Sequence, residues 1–101
     1  MIRAVFFESE SKLGCEISGH AGGKSGTDIV CASVSSATYM AANTITDILY
    51  ISAEIQMDDG FLSFHITDDD VSAKAIIDGL KLHLTELSKQ YPKKIKVITE
   101  V

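Results

Sequence analysis

The chain has 101 residues, a formal net charge of −5, 46% apolar side chains and 23% charged ones. That length suits one domain, residues 1–101, with a single core, and the apolar share excludes a disordered chain. The acidic balance speaks against direct nucleic-acid binding, since the only basic cluster is Lys93, Lys94 and Lys96 beside Pro92. No run reaches the ~18 apolar residues that a membrane helix needs, and the first residues lack a signal peptide's basic-then-apolar layout. A cytoplasmic protein with Cys15 and Cys31 reduced is the expectation.

In chain order, Ile2 to Glu8 is β-branched and aromatic and predicts a strand. Ser9 to Lys12 is a polar turn, and Leu13 to Gly19 returns antiparallel with Leu13, Cys15 and Ile17 on one face. From Asp28 to about Tyr50 the period becomes helical, with Val30, Val34, Ala37, Ala41, Ile45 and Ile48 as its apolar stripe. Tyr50 to Met57 and Phe61 to Thr67 predict a second hairpin around Asp58-Asp59-Gly60. Asp68, Asp69 and Asp70 open a second helix, with Thr67 and Asp70 as a capping box and Ile77, Leu80, Leu84 and Leu87 as its core stripe. Pro92 ends that helix, and Ile95 to Val101 alternates as a last strand. The order ββαββαβ is that of an α+β domain, a mixed or antiparallel sheet with two helices.

The chemistry concentrates in Gly19 to Ser36, GHAGGKSGTDIVCASVSS. Asp28 is suited to the N-cap, where its carboxylate accepts from the amides of Val30 or Cys31. Cys31 then stands in the first helical turn, where free amides and the helix dipole favour a thiolate. Gly22, Gly23 and Gly26 let the intervening loop fold back, so that His20 approaches the sulfur. A cysteine nucleophile with a histidine base is the chemistry this layout fits. The Cys31 amide, or a neighbour in that turn, is the expected oxyanion donor. Cys15, inside a strand, reads as a core residue.

Other readings fit less well. A phosphate loop would need a glycine where Ser18 stands, and a parallel βαβ unit that the hairpin does not supply. A zinc site would have to gather His20, Cys31, Cys15, His65 and His83 without any paired-cysteine motif, so no metal and no cofactor are expected. His65 should point away from Phe64, and His83 should lie on the second helix, both as surface or packing residues. Asp68 to Asp70 has no EF-hand spacing and reads as a charged helix start. Thiol redox chemistry would want a resolving cysteine nearby, and none lies close to Cys31.

At GHAGGKSGTDIVCASVS the chain resembles the ribosomal-processing cysteine protease family, Prp. Gly19-His20, the glycine-rich loop, Asp28-Ile29-Val30-Cys31 and Ser35 four residues later carry the resemblance, and length and element order agree. It implies an endopeptidase, commonly a homodimer, that removes a short N-terminal extension from large-subunit ribosomal protein twenty-seven. His20 matches the catalytic histidine, Cys31 the nucleophile, and Asp28 and Ser35 the supporting polar positions. It also suggests an aromatic residue before the cut. The alternative is a ribosome-associated interaction or regulatory protein without catalysis.

Overall fold

In the computed structural model, which describes residues 1–9, 12–20, 28–68 and 70–100, alternation of apolar and polar side chains organises the sheet. Strands β1 (Ile2–Ser9) and β2 (Lys12–Ser18) form the first hairpin, and β3 (Ala53–Asp58) and β4 (Phe61–Ile66) the second. The last strand is β5 (Ile95–Glu100). The sheet order is β3-β4-β2-β1-β5, with β1 and β5 parallel and all other pairs antiparallel, so the sheet is mixed. The predicted α+β class and element order hold.

Register places Phe6 opposite Cys15, Cys15 opposite Phe64 and Phe64 opposite Ile55, a row along one face. Phe6, Cys15 and Phe64 are wholly buried there, while Ile55 on the edge strand stays exposed. Each buried phenylalanine stabilises the fold by about 1.5–3 kcal/mol relative to exposure. Helices α1 (Ile29–Asn43) and α2 (Val71–Gln90) complete the core, through Val30, Val34 and Ala41 on α1 and Ala73, Ile77, Leu80 and Leu84 on α2. Lys81 of α2 also donates to Glu8 of β1 at 2.9 Å, in a partly buried ion pair.

Three local expectations need correction. The first helix does not continue as an α-helix to Tyr50: it ends at Asn43 and passes into a π-helical turn, Thr44–Ile48. Thr44 and Thr46 turn their hydroxyls back onto the carbonyls of Met40 and Ala42. Tyr50 then takes a left-handed φ of 55° and stands exposed, and Ile48, expected in the core, is 69% exposed. Thr38 takes a core place instead, its hydroxyl satisfied by the Val34 carbonyl at 2.7 Å. Finally, α2 is capped by Asp70 itself, whose carboxylate accepts from the Ala73 amide at 2.9 Å, and Thr67 lies outside the helix.

Candidate active site

Asp28 caps α1 as its residue type dictates. One carboxylate oxygen accepts from the amide of Val30 at 3.0 Å and of Cys31 at 3.2 Å. This fixes the first turn and with it the half-buried Cys31, which packs against the edge of the core. The Cys31 amide, one of the first-turn amides expected as oxyanion donors, thus already donates to the cap carboxylate. Alanine at Asp28 is expected to destabilise the fold by ~1 kcal/mol. Chemical denaturation of Asp28→Ala checks this, and an unchanged midpoint would contradict it.

His20 comes from the end of β2 through Gly19. That glycine has a φ of 91°, and a side chain on it would collide with the Met1 carbonyl. Its amide donates to the Gly60 carbonyl at 2.9 Å. A cavity of about 300 Å³ opens between the end of β2, the first turns of α1 and the β3–β4 turn. His20, Cys31 and Ser35 line it together. Ile17, Val34, Phe61 and Leu62 give the same cavity an apolar wall. Gly22, Gly23 and Gly26, expected in a substrate loop, lie outside the described residues.

The second-hairpin turn is the part of the cavity that the sequence does not announce. Asp58, Asp59 and Gly60 read there only as a turn, yet all of them line the cavity. The cause is the pairing of β2 with β4, which sets Phe61 opposite Ser18 and so brings this turn beside Gly19 and His20. No local pattern carries that long-range register.

The other histidines and cysteine lie elsewhere. His65 is on the outer face of the sheet, tilted against Phe7 with ring centroids 5.5 Å apart. Burial lowers its pKa first, Lys12 adds to that, and Glu16 and Glu54 pull the other way. His83 lies on the α2 side of a groove between the helices. Cys15 is buried in the core, and burial with a smaller push from Glu16 raises its thiol to about 12. Among the described residues no group of His, Cys, Asp and Glu gathers as a metal site.

A reactivity contrast follows. Near neutral pH the Cys15 thiol is both unionised and unreachable, so iodoacetamide should modify Cys31 faster by at least about 10³-fold. Peptide mapping after brief labelling measures this. Equal labelling of both cysteines would overturn it.

Comparison with known structures agrees with this fold. The fold matches the ribosomal-processing protease Prp from S. aureus in complex with a covalently linked product peptide, at a TM-score of 0.90 and 24% identity, covering 99% of this chain and 100% of the other. The same S. aureus protease in complex with a substrate peptide matches at 0.80 and 25% identity, covering 99% and 100%. SMU.848 from Streptococcus mutans matches at 0.79 and 29% identity, covering 99% and 96%. No match was found among curated proteins. Residues 1–96 match the family described as Cysteine protease Prp, and the chain, with a cysteine and a histidine on one cavity, belongs to that family of cysteine proteases.

Proposed function

We propose that residues 1–101 form one protease domain that removes a short N-terminal extension from large-subunit ribosomal protein twenty-seven. The observation that carries this reading is the shared cavity of His20 and Cys31 in a chain of this family. Related folds in complex with a substrate peptide and a covalently linked product peptide support a peptide substrate. The cytoplasm is the proposed location, because that is where a ribosomal protein would be processed.

In the proposed reaction, His20 takes the proton from the Cys31 sulfur, and the sulfur attacks the scissile carbonyl carbon. The carbon–nitrogen bond breaks as His20 returns that proton to the leaving amine, which leaves a thioester on Cys31. Water, deprotonated by His20, then attacks the thioester; the carbon–sulfur bond breaks and the acid product departs. First-turn amides of α1 supply the oxyanion donors, with the Cys31 amide sharing between Asp28 and the oxyanion. Asp28 serves chiefly as the cap, and Ser35, one turn beyond Cys31, supports the pair from the same cavity. An aromatic residue before the cut would rest on the apolar wall of Ile17, Phe61 and Leu62. The loop with Gly22, Gly23 and Gly26 is proposed to contact the peptide.

Incubation with a synthetic peptide spanning the extension tests the reading. Cleavage into two fragments is the expected result. Binding without turnover would favour a ribosome-associated interaction protein instead.

We also propose a homodimer. Ile29 and Met40 on α1 are 68% and 67% exposed, flanking the apolar groove between the helices, and Ile55 and Met57 are exposed on the edge strand. Light scattering at micromolar concentration should give twice the chain mass of 10.9 kDa. A monomer mass would count against the dimer.

A further inference from the structure

The β3–β4 turn meets the histidine at one residue, twice. Gly60 accepts the backbone bond from Gly19, the residue immediately before His20, at 2.9 Å. The imidazole ring of His20 also lies directly over the bare α-carbon of Gly60. A β-carbon built there would stand 2.7 Å from Nε2, 3.3 Å from Cε1 and 3.4 Å from Cδ2. The nearest of these is closer than a real β-carbon allows, so the ring can keep its place only while residue 60 has no side chain.

We propose that Gly60 is a positioning residue for His20: its carbonyl holds the chain that carries the histidine, and its bare α-carbon is the seat on which the ring rests. The inference rests on the dyad reading above and assigns the geometry of its base. A turn on the second hairpin thereby sets where the imidazole stands relative to the Cys31 sulfur, although it is not itself one of the reacting groups. Two facts make the seat specific. Gly60 has a φ of 70°, which already favours glycine, so the turn and the seat make the same demand on one residue. The hydrogen bond and the ring contact also act on consecutive residues, Gly19 and His20, which restrains the chain and the side chain together.

Asparagine separates the seat from the turn. It tolerates a left-handed backbone better than other side chains, so Gly60→Asn keeps the turn but places a β-carbon where the ring lies. Misplacing a catalytic group by about 1 Å costs roughly 10²-fold in rate. Gly60→Asn is therefore expected to lower kcat for the extension peptide by about 10²-fold with KM changed less than about threefold. In a His20→Ala background, where no ring remains to be displaced, the same substitution should change single-turnover cleavage by less than about twofold. Equal losses in both backgrounds, or a Gly60→Asn enzyme as fast as its parent, would overturn the proposal. A measurement on the unsubstituted protein is independent of both catalysis and variant folding. Nuclear Overhauser contacts between the His20 ring protons and the Gly60 α-protons are expected, and their absence would also overturn the seat. A protein that shows those contacts but cuts no peptide would retain the seat and lose the protease substrate reading.

Discussion

Replacing Cys31 with alanine is expected to lower cleavage of the extension peptide by roughly 10⁴-fold or more, with the fold intact. The effect is large because, in the proposed reaction, the sulfur is the atom that bonds to the substrate, and no other described group is placed to replace it. Ser35 lies one turn away on the same cavity, but a hydroxyl there would have to attack from a different point on the helix. Cys15 is buried between Phe6 and Phe64 on the core face of the sheet, with its thiol held unionised by burial. The structural penalty is small by comparison: Cys31 is only half-buried, and losing one sulfur should destabilise by about 1 kcal/mol or less. Activity and melting temperature measured on the same sample separate the two effects. A Cys31→Ala protein that cuts within tenfold of the parent would remove the nucleophile assignment.

His20→Ala is expected to lose nearly as much, within about tenfold of Cys31→Ala, because in the proposed dyad nucleophile and base act as a unit. For the same reason the double variant should be no slower than the slower single one. His20 is exposed, so its removal empties no core space, and stability should change by less than about 0.5 kcal/mol. Multiplicative losses in the double variant would indicate two independent roles and contradict a dyad. Rate constants under single-turnover conditions decide the matter.

Much of this arrangement is legible in the chain itself, where local rules act alone. The N-cap at Asp28 follows from a short acidic side chain before a helical run, and the structure has it bonded to both amides expected. Cys15 as core, Phe64 in and His65 out follow from the two-residue alternation of strands. Other features do not follow from alternation or period alone. The π-helical turn after Asn43, where the Thr44 and Thr46 hydroxyls bond back to helix carbonyls, is a change that a periodicity of apolar residues does not register. Gly60 beside His20 arises from the pairing of β2 with β4, a contact between segments that no spacing within either segment encodes. The cap also reaches further than one bond: one carboxylate oxygen accepts from the Cys31 amide as well as from its neighbour Val30. The sequence thus points to His20 and Cys31, which share the cavity, and leaves unmarked the turn beside them.

The proposed reaction requires that a peptide become covalently attached to Cys31 during turnover. Mixing the protein with the extension peptide, quenching in acid within the first turnover and mapping the adduct by mass spectrometry tests this most directly. A thioester between the N-terminal product fragment and Cys31 is expected, absent from both Cys31→Ala and unmixed protein. An adduct on Cys15, or cleavage to products with no Cys31 adduct at any time of quenching, would contradict it.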